Sequence, residues 1–387
     1  MTLFYHTHVP VVISNGQILA PRFLAIEVNT ISNRNIQLVL VVYLAINEEK
    51  DFCKSVLNSD IQFLFLGSHN SVIARLIRGP ISLYRIYRVM NSSRKPTLLI
   101  KGPTPLILFM FVLQRFASTY IFLVGDYTSN LETLNFGFVK NRAIKILALL
   151  VDFSIKHMYK NSSLIVNSDL LHNKYHKCYE RTKLVRTSTI LRHEILNSRT
   201  YSNNRFKLLF VGRVEYSKGI YELVDAFVDC YNEGLVKSLD IVGPIVNNGF
   251  NVWQSVERDF KENEAYQYID FLGPVFDEDL LKQKFQNADV FVLPSKSEGF
   301  PRVFWEAFAA GVPVITTKVG GIPMVLQNGK HAILMEDSSK NEIIRAIQRL
   351  KNNSELCNHI AHNARELAYA NTVDNQIDDM ISFIKVV

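Results

Sequence analysis

Short apolar runs rich in β-branched and aromatic residues alternate with stretches of helical period along nearly the whole chain. In the first half the runs predict strands at 3–6, 37–44, 62–66, 97–100, 120–124, 163–167 and 184–187. Between them, apolar residues recur at helical spacing over 18–31, 71–78, 106–116 and 139–159. In the second half strands are predicted at 206–211, 239–242, 268–272, 290–293, 313–316 and 332–335. Helices are predicted there at 219–231, 252–261, 278–287, 302–310 and 340–351. Strand and helix in this alternation imply parallel, doubly wound α/β sheets. A polar break at 191–204 divides the pattern into two similar halves, predicting domains at 1–195 and 204–370. Sheets of this kind bind ligands beyond the carboxyl ends of their strands, so the expectation is two halves facing a central cleft.

A length of 387 residues suits two domains, and 48% hydrophobic with 20% charged residues suits a globular protein. The four cysteines are scattered, with no Cys-x-x-Cys, which favours a reducing compartment over a zinc site or disulfide framework. The start lacks a signal-peptide pattern, and the most apolar run, 105–125, is interrupted by Gln114 and Arg115. No membrane-spanning helix is expected. The net charge of +7 is uneven: residues 1–195 carry 23 Lys and Arg against 11 Asp and Glu, and the remainder carries 20 against 25. No acid lies between Asp60 and Asp126, while Arg75, Arg78, Arg85, Arg88, Arg94, Lys95, Lys101 and Arg115 fall in that interval. The first half is thus expected to face something anionic or, more blandly, to carry a solvated basic face.

Two loops carry candidate chemistry. The first, around Gly212-Arg213 and Lys218-Gly219, joins a strand end to a helix start. An arginine fork and a lysine point charge there could stabilise a departing diphosphate. At ~4 Å and an effective dielectric near 20, each contact is worth on the order of 4 kcal/mol. The second loop holds Glu298 and Glu306, eight residues apart, around Gly299-Phe300-Pro301-Arg302-Val303. Pro301 suits the first helical turn, and backbone N–H groups there could hold phosphate oxygens. The carboxylates would grip vicinal hydroxyls of two sugars. The plainer alternative makes Glu298 a helix cap and leaves Glu306 on the surface. Asp277-Glu278-Asp279 reads as a helix cap, not a metal site. His6 and His8, near the end of the first strand, could line the cleft but are read first as structural.

The pattern Glu298-Gly299-Phe300-Pro301 with Glu306-Ala307 and Ala310-Gly311-Val312-Pro313-Val314 resembles the Glu-x7-Glu signature of glycosyltransferase family 4. Gly212-Arg213 with Lys218-Gly219, Gly243 and Gly320-Gly321 also sit where that family's motifs sit. The resemblance implies a GT-B fold of two Rossmann-like domains and a retaining, nucleotide-sugar-dependent enzyme. It implies that Arg213 and Lys218 bind the diphosphate, that Glu306 holds the ribose and Glu298 the donor sugar, and that the backbone near Val275 meets the base. Gly16 lies where the family has a glycine-rich loop near the donor phosphates. Asp126, after Gly125, stands where many members carry a histidine facing the donor sugar, and resembles the Gly-Asp variant of bacterial polysaccharide transferases. The helix at 371–387, with Ile377, Met380, Ile381 and Ile384 on one face, is implied to pack back on the first domain.

The expectation is therefore a hexosyltransferase acting in capsule, O-antigen or exopolysaccharide assembly. Its donor would be a nucleoside-diphosphate sugar and its acceptor a lipid-linked glycan; no cofactor or metal would be required. It would work in the cytoplasm, at the inner face of the membrane, through basic helices at 81–90 and 139–159. Rival expectations are a sugar-nucleotide epimerase or hydrolase of the same fold, and a basic nucleic-acid-binding protein, which no nucleic-acid motif supports.

Overall fold

The structure is a computed structural model and describes all residues except 103, 127, 129–137, 197–198, 200–204, 247–250 and 386–387. The polar stretch at 201–204 lies outside the described residues. The chain divides into two compact units, Met1–Thr187 with Val373–Val387, and Ser188–Thr372.

The first unit contains strands β1 (Thr2–His6), β2 (Val12–Ser14), β3 (Gln17–Ala20), β4 (Gln37–Leu44), β5 (Ser55–Val56), β6 (Gln62–Ser68), β7 (Pro96–Gly102), β8 (Ser118–Leu123), β9 (Ser163–Val166) and β10 (Thr182–Leu184). Its helices are α1 (Arg22–Ser32), α2 (Val72–Ile77), α3 (Gly79–Met90), α4 (Ile107–Met110), α5 (Phe138–His157) and α6 (Asp169–Tyr175). Seven strands form one parallel sheet in the order β10-β9-β8-β7-β1-β4-β6. The order reverses between β1 and β7, as in a doubly wound sheet. Central strands such as β1 and β7 are buried along almost their whole length, which is why they read as continuous apolar runs.

The second unit contains β11 (Phe206–Val211), β12 (Val236–Val242), β13 (Ile269–Gly273), β14 (Val290–Leu293), β15 (Val314–Thr317) and β16 (Ile333–Met335). Its helices are α7 (Ile220–Asn232), α8 (Val252–Phe260), α9 (Glu278–Asn287), α10 (Val303–Ala309), α11 (Ile322–Val325), α12 (Lys340–Lys351) and α13 (Ser354–Ala370). The parallel sheet runs β13-β12-β11-β14-β15-β16, with its reversal between β11 and β14. Asp277 caps α9, accepting from the N–H groups of Asp279 and Leu280.

The last helix, α14 (Val373–Lys385), belongs to the first unit. It buries Ile377, Met380, Ile381 and Ile384 and packs beside α1. Arg34 bridges to Asp374 and Asp378, and Tyr120 donates to the Ile384 carbonyl at 3.1 Å.

Three sequence expectations are corrected. The helix predicted at 18–31 starts only at Arg22, because residues 17–20 form β3. That strand pairs antiparallel with β2 and β5 in a small separate sheet. Asn15 and Gly16, both at positive φ, make its two-residue turn, the geometry that suits a right-handed strand twist. The helix predicted at 106–116 is shorter: α4 gives way to a 3₁₀ turn at Phe111–Arg115. Lys101, counted among the surface cations, is buried. Its ammonium pairs with the buried Glu27, whose other oxygen accepts from Tyr5 at 2.8 Å.

Removing one member of such a pair strands a buried charge. Glu27→Ala should therefore cost about 3–5 kcal/mol in urea unfolding, with most of the loss recovered when Glu27 and Lys101 are both replaced by Met. An exposed, solvated Lys101 would show no such asymmetry.

Candidate functional site

The motif residues of the second unit gather at the carboxyl edge of its sheet, around the reversal between β11 and β14. The loop after β11 reaches α7 through Gly219, at φ 65°. A Cβ built there would lie 2.2 Å from the Pro294 carbonyl oxygen, just past β14. Only glycine allows both this backbone conformation and this approach. The two loops are also tied by the Lys296 N–H, which donates to the Ser217 carbonyl at 2.8 Å.

The same condition holds at the next strand. A Cβ on Gly320, beyond β15, would lie 1.7 Å from the Glu298 carbonyl oxygen. Gly321 N–H donates to the Gly299 carbonyl at 2.8 Å, and Thr317 Oγ1 donates to the Ser295 carbonyl. Three strand-end loops are thus held together through backbone atoms. Gly212 and Gly243 continue this edge: Gly212 N–H bonds to the Val242 carbonyl at 2.9 Å and Gly243 N–H to the Gly273 carbonyl at 2.8 Å.

Side chains follow from that frame. Lys218 Nζ lies 2.6 Å from Glu298 Oε1, with the two side chains 12% and 13% exposed. Ser295 Oγ donates to the same carboxylate oxygen at 2.7 Å. Arg213 is more exposed and rests on Glu215 at 2.9 Å, while the buried Glu215 also accepts from Ser217. Glu306, on α10, is half-buried and accepts from Thr189 Oγ1 at 3.2 Å. Lysine carries three N–H donors, so Lys218 can hold Glu298 and a phosphate oxygen together.

The segment between the two glutamates is partly structural. Pro301 is buried ahead of the helix, Arg302 is the exposed N-cap, and α10 begins at Val303. Phe300 packs its ring on Phe304 and Trp305, with centroids 5.6 and 5.1 Å away, and so anchors the turn to the core. Val275, after β13, is half-buried against the same core.

Residues 192–367 match the family of glycosyl transferases group 1. That group 1 segment is a little under half of the chain and contains Arg213, Lys218, Glu298 and Glu306. An uncharacterized glycosyltransferase of Methanocaldococcus jannaschii is 28% identical over 225 residues, covering 57% of this chain and 60% of its own length. The capsular polysaccharide biosynthesis glycosyltransferase CapM of Staphylococcus aureus is 30% identical over 172 residues, 42% of this chain and 41% of CapM. The matches therefore span about half the length of these relatives. Among solved structures, HepE of Anabaena in complex with UDP aligns over 100% of both chains with a TM-score of 0.72 at 16% identity. WaaG, a glycosyltransferase involved in lipopolysaccharide biosynthesis, aligns over 99% of both with a TM-score of 0.67 at 14% identity. The fold is GT-B, two Rossmann-like α/β domains.

Outside the group 1 segment, Asp126 follows β8 in the first unit and accepts from Lys174 Nζ at 2.7 Å and from Thr128 N–H and Oγ1, each at 2.9 Å. Burial opposes its charge, but these hydrogen bonds outweigh it and hold the carboxyl below its ordinary range. Lys174 also bridges to Asp152 at 3.0 Å. Gly16 sits at the β2–β3 hairpin tip, where turn geometry by itself accounts for it. Glu215, Ser295 and Thr189, which hold Arg213, Glu298 and Glu306, carried no motif signal.

Gly219→Ala should destabilise the fold by about 1–3 kcal/mol or more, since the residue must leave positive φ and push back Pro294. Nucleotide affinity should fall with it, as measured by urea unfolding and calorimetric titration. An alanine variant of unchanged stability would show that the loops are not interlocked here.

Proposed function

We propose that this protein is a retaining family 4 glycosyltransferase. It moves a sugar from a nucleoside diphosphate to a hydroxyl of a lipid-linked glycan during assembly of a cell-surface polysaccharide. The observation that carries the reading is the placement of Arg213, on Glu215, and of the Lys218–Glu298 pair in the loops at the strand-order reversal of the group 1 segment, the position where doubly wound sheets bind nucleotides. The likeness of the fold to HepE, solved with UDP, and of the sequence to CapM, a capsular polysaccharide enzyme, supports the donor and the pathway class.

In this mechanism Arg213 and Lys218 take up the negative charge that develops on the leaving diphosphate, with no metal required. Glu298 fixes the Lys218 ammonium and offers its remaining acceptor capacity to donor-sugar hydroxyls. Glu306 holds the ribose, and the backbone near Gly299–Val303 and Val275 borders the nucleotide. Asp126 acts on the sugar or acceptor side. Stabilisation of developing charge by a preset cation lowers the barrier without reorganisation, and loss of one such donor typically costs about 10²–10³ in kcat.

Lys218→Ala and Arg213→Ala should each lower kcat by about that factor while the protein stays folded, and the product should keep the donor's anomeric configuration by proton NMR. Full turnover by either variant would exclude this mechanism. Product release without a glycan acceptor would instead identify a hydrolase.

The acceptor side fits a peripheral membrane enzyme at the cytoplasmic face. No helix of the described residues is long and apolar enough to cross a membrane. Ile73 and Ile77 on α2, Ile81 and Tyr84 on α3, and Leu149 and Phe153 on α5 all expose more than half of their surface. Arg78, Arg85, Arg88, Arg142 and Lys145 are exposed among them, whereas Lys156 is paired with Asp152. α3 and α5 pack on the same core beneath. Apolar side chains rimmed by cations suit an anionic bilayer surface. The side chain of Lys140 lies outside the described residues.

Vesicles containing phosphatidylglycerol should pellet the protein at low salt and release it at high salt, and Ile77→Asp with Ile81→Asp should abolish the effect. Equal partition onto neutral and anionic vesicles would remove the membrane from the proposal.

A further inference from the structure

Among the described residues, six buried side-chain N or O atoms lack a hydrogen-bond partner, and three of them belong to neighbouring residues: His8 Nδ1, Tyr43 Oη and Arg75 Nε. They come from three elements at the carboxyl edge of the first unit's sheet: the loop after β1, the end of β4, and α2. Arg75 Cζ lies 5.7 Å from the centre of the Tyr43 ring, and the rings of His69 and His6 lie 5.9 and 6.3 Å from it. Tyr43 is only 3% exposed, yet its hydroxyl has no partner. Buried polar atoms left in this way cost free energy, and three together call for a ligand.

The charge pattern identifies that ligand's class. Arg75 Nη1 donates to His69 Nε2 at 2.7 Å, so His69 carries its proton on Nδ1 and donates it to Glu49 at 2.5 Å. Glu49 thus reaches the guanidinium through one imidazole, and Lys101 has its own partner in Glu27. Burial above all, with the charges of Arg75 and Lys101 added to it, lowers His8 to about 4, so that its imidazole stays neutral. His6 has a different role: it is fully buried, with one ring nitrogen on the Val41 carbonyl and the other on Thr104 Oγ1, each at 3.0 Å. The latter contact ties the end of β1 to the segment after β7, at the strand-order reversal of this sheet. A half-compensated arginine, a phenol and an imidazole together offer an anion charge and donors from three directions, and they repel a cation.

We propose that His8, Tyr43 and Arg75 form a phosphate-binding site in the first unit, distinct from the residues that take the nucleotide diphosphate. It deepens the reading of a phosphate-bearing glycan acceptor and rests on that reading only for the molecule that carries the phosphate. The site holds the acceptor by its phosphate end; its residues take no part in bond breaking.

The test uses the full chain with Arg213→Ala and Lys218→Ala as background, so that the nucleotide loop adds no phosphate binding. Inorganic phosphate, glucose 1-phosphate and geranyl diphosphate are titrated by calorimetry. Tyr43→Phe and Arg75→Gln should each weaken phosphate binding by about tenfold or more, the effect of losing one charge-assisted hydrogen bond. Tyr43→Phe should melt at or above the background protein, because the hydroxyl it removes has no partner in the chain. The tighter of the two organic phosphates gives the source, a sugar phosphate or a lipid diphosphate. Phosphate binding that is absent, or equal in background and variants, overturns the proposal. Normal phosphate binding in the background protein, with no transfer activity in the unsubstituted protein, would count against the glycosyltransferase reading and leave this site standing.

Discussion

Everything at the second unit's candidate site depends on close backbone contact between loops that leave neighbouring strands. Pro294 presses on Gly219, and Glu298 presses on Gly320, in each case nearer than any side chain permits. These contacts set where the Glu298 carboxylate stands and where the Lys218 ammonium ends. A parallel sheet supplies the condition for this. All its strand ends lie on one edge, and a reversal in strand order opens the loops of β11 and β14 away from each other. The chain then closes the gap at chosen points with glycine.

Given that frame, Lys218–Glu298 is better understood as an orienting contact than as a source of stability. Both groups lose most of their water, and the attraction between buried charges roughly repays that loss without exceeding it by much. What the pair provides is position: one rotamer for a flexible lysine, held also through Ser295. Arg213 is treated differently. It is more than half exposed and tethered to a buried Glu215, so its fork can move while its base stays put.

Much of this was legible in the residues. The strands at 37–44, 206–211 and 290–293 and the helices at 278–287 and 340–351 coincide with their sequence ranges, because buried parallel strands and amphipathic helices leave plain periodicities. The hairpin at β2 and β3 was missed for a physical reason. The apolar residues of β3 continue into α1 without a break in composition, and Asn15-Gly16 serves equally as a hairpin-turn signal and as a glycine-loop signal. Pairings between distant residues were not legible at all. Lys218 meets Glu298 and Lys101 meets Glu27 across 80 and 74 positions, and no local pattern marks such a meeting. Counting charges along the sequence therefore placed Lys101 on the surface, where the fold buries it.

The two units meet the same topological situation with opposite charge arrangements. In the second, each cation at the strand-order reversal has its own carboxylate in direct contact. On the reading proposed above, a diphosphate would enter a site whose positive charge is already shared, which favours reversible exchange over permanent capture. In the first, among the described residues, Arg75 hydrogen-bonds to His69 and through it to Glu49, and Asp126 is engaged with Lys174 and Thr128. Charge near β1 and β4 is thus left partly uncompensated, beside donors that have no internal partner. Leaving polar atoms in this state costs stability, and a chain that had to satisfy only packing could remove the cost by replacing Tyr43 with phenylalanine. Keeping the hydroxyl makes physical sense where something from outside the chain completes the hydrogen bond.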